Sequence, residues 1–425
     1  MEQIVIVGAG LAALRSAERL RELGFDGRIV VVGDEPTRPY HRPALSKQLV
    51  TGELKPEELT FPAYTELDVR WRLRTQAQSL DLGRRIVELP GGEELRYDGL
   101  IIATGVEARH LPGTPRHDRR VHQLRTLADA EGLVATLRAT RGRVVIVGTG
   151  FTGCELAASM RELHRDVTLV GRSTTMLGNV LGPELSDTIR DLHRGNGVDV
   201  ALGVTVSTWA PSANGVALVL SDERLLLASC VVLAVGSLPN TRWLRGSGLV
   251  VEDGVLCEST CHAVGATDVM AAGDVACWPN LRFDGVPRRV EHWLNAIEMG
   301  RAAAANLLAG RSKAEMFTPL PRFWSEQHHV RIQAAGMPSL ADQRLRLETR
   351  PGTKPESVSV FARAGNTIGV VGLDRPRTVL TLTNQLANTA WPRLRPQATD
   401  NNVFRPARPN VVPMPTQAQP NKETA

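Results

Sequence analysis

Residues 4–13 read Ile4-Val5-Ile6-Val7-Gly8-Ala9-Gly10-Leu11-Ala12-Ala13, and residues 144–153 read Val144-Val145-Ile146-Val147-Gly148-Thr149-Gly150-Phe151-Thr152-Gly153. Each is a short apolar run rich in β-branched residues, followed by small residues at the first, third and sixth places of one motif. Such a run suits a strand covered on both faces. The first glycine permits the tight turn out of the strand, and the second lets a pyrophosphate approach the backbone. The third small residue, Ala13 or Gly153, lets the following helix pack on the strand. That helix offers unpaired N–H groups and a positive dipole end to phosphate. Second apolar runs follow at Arg28-Ile29-Val30-Val31-Val32 and Val167-Thr168-Leu169-Val170, completing two βαβ units about 140 residues apart. Two complete modules imply two different dinucleotides in one enzyme, since a single-cofactor dehydrogenase needs only one.

Further apolar strands end at glycine in Leu100-Ile101-Ile102-Ala103-Thr104-Gly105 and Val231-Val232-Leu233-Ala234-Val235-Gly236. A third, Val269-Met270-Ala271-Ala272-Gly273-Asp274-Val275, ends in a carboxylate. Asp34 and Glu35 stand 26 and 27 residues after Gly8, where a carboxylate can accept hydrogen bonds from a ribose.

Composition narrows the class. The 425 residues are 42% hydrophobic, which excludes a disordered chain, and five cysteines with no regular spacing exclude a disulfide scaffold. No zinc ligand set and no other metal site is expected, and a reduced, cytoplasmic protein is the plain reading. The longest apolar stretch, Leu225 to Val235, is about half of what a membrane span needs. Residues 2–8 start a strand at once, so no secretory signal is expected. The formal charge is +5, but the tail 392–425 holds five basic and two acidic residues, leaving +2 for residues 1–391. No nucleic-acid partner is expected from so diffuse a charge. Of the 50 basic residues only five are lysine.

Five further elements carry a resemblance: Pro39-Tyr40-His41-Arg42-Pro43-Ala44-Leu45-Ser46-Lys47, Leu124-Arg125-Thr126, Ala272-Gly273-Asp274-Val275, Val290-Glu291-His292-Trp293 and Phe323-Trp324-Ser325-Glu326-Gln327. With the glycine motifs they make the chain similar, over about residues 1–390, to the two-dinucleotide flavoproteins. Within these it resembles the ferredoxin reductases of the putidaredoxin and rhodocoxin reductase type, which serve cytochromes P450 and ring-hydroxylating dioxygenases. Ala44 replaces the family's usual second proline. The resemblance implies FAD and NAD(P)H as cofactors. It implies that Gly8, Gly10 and Ala13 face the FAD pyrophosphate and that Asp34 and Glu35 hold the adenosine ribose. Arg42, Lys47 and Arg125 are to reach phosphate or the flavin edge, Asp274 the ribityl chain, and Ala77 the adenine. His292, Trp293 and Trp324 are to sit beside the flavin ring, with Lys47 paired to Glu155 near its reactive nitrogen. Lys47, Glu155 and Trp324 are the catalytic candidates. Gly148, Gly150, Gly153, Glu155, Arg172 and Ser173 are those for NAD(P).

The resemblance also marks absences. Disulfide reductases of the superfamily carry cysteines near residues 40–50, whereas this chain has none before Cys154. Electrons are therefore expected to leave the flavin singly, for an external ferredoxin feeding a cytochrome P450 or other oxygenase. A carrier-independent NAD(P)H oxidase or quinone reductase, and an NAD(P)H-sensing flavoprotein, are the alternatives. NADH-preferring relatives place Glu or Asp where Gly171 stands. Here Gly171-Arg172-Ser173 removes that carboxylate and favours NADPH over NADH. The expected fold is α/β: two Rossmann-like dinucleotide-binding domains plus a smaller C-terminal α+β domain. The FAD domain would be discontinuous (1–107 and 237–311), with the NAD(P) domain (108–236) inserted. Residues 312–391 would form the third domain, with Ser357–Phe361 and Thr367–Gly372 as a hairpin or meander. Residues 392–425, with seven prolines, read as a disordered tail.

Overall fold

The first glycine motif sits at the middle of a five-stranded parallel sheet. Its strand order is Val269–Ala271, Gly99–Ile102, Gln3–Val7, Arg28–Val32, Val69–Arg72. The second motif is placed the same way, in the parallel order Val198–Leu202, Val167–Gly171, Val144–Val147, Cys230–Leu233, Val121–Gln123. The computed structural model describes residues 1–61, 67–350 and 355–388. The tail 392–425 lies outside the described residues. The central strands are apolar throughout because both faces of each sheet are covered: in the second sheet Ile146 packs with helix residues such as Leu156 and Ile189, and Val145 with the antiparallel strands Gly215–Leu220 and Leu225–Ala228. Ile4, Val5 and Ile6, like Val144, Val145 and Ile146, are fully buried.

The two halves share one register. Val7 pairs with Val32 and Ile102, and Val147 pairs with Val170 and Leu233. The first glycine of each motif follows in the left-handed region, Gly8 at φ +110° and Gly148 at φ +123°. A Cβ on Gly8 would lie 2.1 Å from the Ala103 carbonyl oxygen, and one on Gly148 would lie 2.0 Å from that of Ala234. Both sheets therefore close only around a missing side chain. The next glycines differ in kind: a Cβ on Gly10 or Gly150 meets nothing within 4 Å.

The chain passes from the first half to the second and back through an antiparallel pair, Val106–Ala108 with Ser237–Pro239. After the helix Trp293–Ala309 it forms a five-stranded antiparallel sheet, ordered Arg322–Gln327, Val330–Gly336, Asn366–Leu373, Glu356–Arg363, Gln343–Arg350. The expected hairpin is present: Arg363 pairs with Asn366 across Ala364 and Gly365, both with positive φ. Val330, Ile332 and Phe361 of this sheet share one buried cluster with Ile146, Leu169 and Val50. Residues 1–391 accordingly form one compact unit.

The contrast between the two kinds of glycine is testable. Gly8→Ala must escape both a positive φ and a backbone contact, and should cost about 2–4 kcal/mol of stability. Gly10→Ala should change the stability of the flavin-free protein by less than about 0.5 kcal/mol while weakening ligand binding. Urea unfolding of both variants checks this, and equal losses would contradict it.

Candidate functional site

The carboxyl ends of the first sheet open onto a cavity of about 610 Å³, within the range of about 300–1,000 Å³ usual for cofactor sites. Gly8, Gly10, Asp34 and Glu35 reach it from the first module, and Ala77 from the segment beyond. Arg42 and Lys47 come from a short helical segment, and Arg125 from the loop before the helix Leu127–Ala139. Asp274, His292, Trp293 and Trp324 complete the expected set, and Glu155 crosses to it from the second module. Ala13 is not on this wall. It is fully buried in the core behind the motif, where its small size serves packing rather than contact. Gly148, Gly150, Gly153, Arg172 and Ser173 also lie off the wall, at the matching ends of the second sheet. From that module only Phe151, Thr152 and Glu155 line the cavity.

The wall is held by ion pairs. Glu35 accepts Arg42 Nη2 at 2.7 Å and the Tyr40 hydroxyl at 2.7 Å. Arg125 Nη2 donates to Asp274 Oδ2 at 2.9 Å, and its Nε to the Val106 carbonyl. All three cations expected at a cofactor are paired with carboxylates expected there. The third, Lys47, lies 2.7 Å from Glu155 Oε2, which also accepts the Ser46 hydroxyl at 2.6 Å. Glu155 Oε1 accepts the Ser325 hydroxyl at 2.7 Å. Tyr40, Ser46 and Ser325 stand inside the quoted motifs, but no local pattern distinguishes their roles. Phe151, on the same wall, occupies a variable place of the second glycine motif, and Trp243 lies outside every quoted motif.

Aromatic rings line one side. His41 stands edge-on to Trp293 at 5.0 Å, and Phe323 contacts His292 at 5.0 Å and Phe151 at 4.9 Å. Burial lowers His292 to about 4. His41 is lowered by burial and by the Lys47 charge. The thiols are inert: all five cysteines are free, and burial pushes Cys230 up to about 12 and Cys154 higher still.

FAD fits these residues. No side chain caps Gly10, so the first N–H groups of the helix Leu11–Glu22 face an open cradle suited to a pyrophosphate. Two buried nitrogens of wall residues, His292 Nδ1 and Trp243 Nε1, have no protein partner, as expected of donors or acceptors reserved for a polar ligand. The second motif repeats the open cradle at Gly150, again uncapped.

The pyridine nucleotide-disulphide oxidoreductase family matches residues 2–300, and a reductase C-terminal family matches residues 322–403. Putidaredoxin reductase of Pseudomonas putida is 32% identical over 385 residues, 88% of this chain and 89% of that protein. The ferredoxin–NAD(+) reductase component of the biphenyl dioxygenase system of Paraburkholderia xenovorans is 33% identical over 338 residues, 79% and 81% of the two chains. The reductase in a solved putidaredoxin reductase–putidaredoxin complex superposes with a TM-score of 0.84 at 29% identity, covering 91% and 93%. The chain belongs to the pyridine nucleotide-disulphide oxidoreductase family and, within it, to the FAD-dependent oxidoreductases of the putidaredoxin and rhodocoxin reductase type. Among the described residues no helix is long and apolar enough to cross a membrane.

Three buried imidazoles set an acid limit on this architecture: His193 and His292 are lowered to about 4, and His328 to about 3, chiefly by burial. Unfolded histidines take up protons near pH 6.5, which the folded ones refuse. Their contribution is therefore complete above about pH 6.5 and is lost as pH falls towards 4. Urea midpoints should drop steadily between pH 7 and pH 5. A constant midpoint would mean that these rings are charged in the folded protein.

Proposed function

We propose that this chain is a ferredoxin–NAD(P)+ reductase, supplying electrons through a ferredoxin to a cytochrome P450 or other oxygenase. The observation that carries it is the cavity wall itself: a lysine–carboxylate pair among aromatic rings, and no thiol. When bound, FAD supplies the conversion of a two-electron donor into single-electron delivery. The chain's residues hold and tune it. Gly8 and Gly10 leave room for the pyrophosphate, with Asp34 and Glu35 at the adenosine ribose and Ala77 at the adenine. Arg42 and Arg125, each steadied by its carboxylate, border the phosphates and flavin edge, and Asp274 the ribityl chain. His292, Trp293 and Trp324 enclose the ring. The Lys47 ammonium offers a fixed positive charge where negative charge develops on reduction, and Glu155 orients it. In this reading residues 1–107 and 237–311 bind FAD, 108–236 bind NAD(P)H through Gly148, Gly150 and Gly153, and 312–391 cover the flavin. Free, inert thiols support a reducing, cytoplasmic setting.

We assign NADPH as the preferred donor. By register Gly33-Asp34-Glu35 of the first half corresponds to Gly171-Arg172-Ser173 of the second. The ribose end has thus exchanged two acids for a cation and a hydroxyl. Arg172 is exposed and has no ion-pair partner among the described residues. A carboxylate at Gly171 has no room: its Cβ would lie 2.5 Å from Thr149 Cγ2 and 2.8 Å from Thr149 Oγ1. Rotating Thr149 leaves at least one of its two branches in the way.

Stopped-flow flavin reduction should be faster with NADPH than with NADH, and cytochrome c reduction should require added ferredoxin. Turnover equally fast without ferredoxin would favour an oxidase instead. Arg172→Glu should raise the NADPH KM far more than the NADH KM. Gly171→Glu alone should not improve NADH use, whereas Gly171→Glu with Thr149→Gly should. An unchanged NADPH/NADH ratio in Arg172→Glu would sink the NADPH assignment.

A further inference from the structure

Behind the Lys47–Glu155 pair runs a single file of hydrogen bonds that the reading above leaves unused. Ser325 Oγ lies 2.7 Å from Glu155 Oε1, and Gln327 Nε2 lies 3.1 Å from Ser325 Oγ. His193 Nε2 is 3.0 Å from Gln327 Oε1, and His328 Nε2 is 3.0 Å from His193 Nδ1. Ser325, Gln327 and His193 are at most 1% exposed, and His328 is 8% exposed. Four stretches distant in sequence supply the members. Glu155 sits on the helix Phe151–Glu162, His193 on the helix Pro183–Gly195, and Ser325 and Gln327 on one face of the strand Arg322–Gln327. Lys47 and Ser46 close the other end.

Donor and acceptor roles follow from the chemistry of the groups. A carboxylate paired with a lysine only accepts, so the Ser325 proton points to Glu155. The Ser325 oxygen can then only accept from Gln327, which fixes the amide with its oxygen towards His193. That oxygen demands a proton on His193 Nε2, leaving Nδ1 to accept from His328 Nε2–H. Every dipole in the file points at Glu155, and hydrogen bonds aligned head to tail reinforce one another. The amide also decides what the file does. Gln327 passes a proton on only by forming its imidic acid, so the file orients groups and does not conduct protons.

The outer end is held at a cost. His328 and His329 form the two-residue turn between Gln327 and Val330, with φ of +50° and +61°. Such turns favour Asn-Gly, because side chains at positive φ are strained. Here two histidines occupy it, and the turn brings the His328 ring edge-on to His193 at 4.6 Å.

We propose that His193, acting through Gln327 and Ser325, is a positioning residue for hydride transfer. The file keeps both oxygens of Glu155 bonded and in one orientation, and so holds the Lys47 ammonium at one place on the cavity wall. This rests on the reading that Lys47 and Glu155 act on the flavin.

The test uses the FAD-loaded enzyme and single-turnover flavin reduction by NADPH. Ser325→Ala removes one bond to a charged group, which should lower the limiting rate about tenfold and leave the NADPH Kd unchanged. His193→Phe should do the same, and His193→Gln, which keeps an N–H near the Nε2 position, should stay within about twofold of the parent. In the Ser325→Ala background His193→Phe should add nothing, because the file is already cut. Ser325→Ala, a small and conservative change, keeps the test informative if His193→Phe fails to fold. Glu155→Gln separates the premise from the proposal. If it slows reduction while Ser325→Ala and the His193 variants do not, the positioning role is wrong and the Lys47–Glu155 reading stands. If Glu155→Gln is itself without effect, both are overturned.

Discussion

The contact on which the site depends is the Lys47–Glu155 pair, where three parts of the chain meet. A largely buried ion pair is weak evidence of stabilisation, because desolvating two charges costs about as much as their attraction returns. This one is offset by hydrogen bonds from Ser46 and Ser325, so that both carboxylate oxygens are engaged. Without those hydroxyls the buried carboxylate would be left with the Lys47 ammonium as its one partner among these groups. The pair thus couples the first module, the second module and the C-terminal sheet through one carboxylate.

Around it the chain builds almost the same nucleotide-binding unit twice. The shared register and the shared collision of a would-be Cβ with a strand-end carbonyl show that one steric solution serves both halves. One divergence falls where a ligand would be told apart. Asp34 and Glu35 are replaced by Arg172 and Ser173, and the Thr149 branch fills the space over Gly171. The cavity wall also holds its arginines in pairs, Arg42 with Glu35 inside the first half and Arg125, from the second, with Asp274. Their positions are therefore fixed in advance, which reduces the ordering needed when a cofactor binds.

Much of this was legible without coordinates. The strand, glycine turn and helix of each module follow from short-range sterics, so ten residues suffice to specify them. The missing cysteines before Cys154 and the lone lysine of the flavin motifs are equally plain in the chain. Ala13 shows the limit of a resemblance: its spacing marks it as the position where helix packs on strand, and there it is buried, behind the wall rather than on it. Glu35 shows another, since its spacing from Gly8 says nothing of Arg42 and Tyr40, which already bond both its oxygens.

What the sequence by itself determined is the pair of modules, their glycine turns and the absence of a thiol relay, because each depends only on neighbours along the chain. What only the tertiary structure decided is the company of Glu155 beyond Lys47, a pairing that the resemblance already implied. Lys47, Ser46, Ser325 and, further back, Gln327, His193 and His328 come together through the docking of helix faces on sheets more than a hundred residues apart. No period or spacing encodes that meeting, because it depends on how buried apolar faces fit rather than on any local preference of the residues that meet.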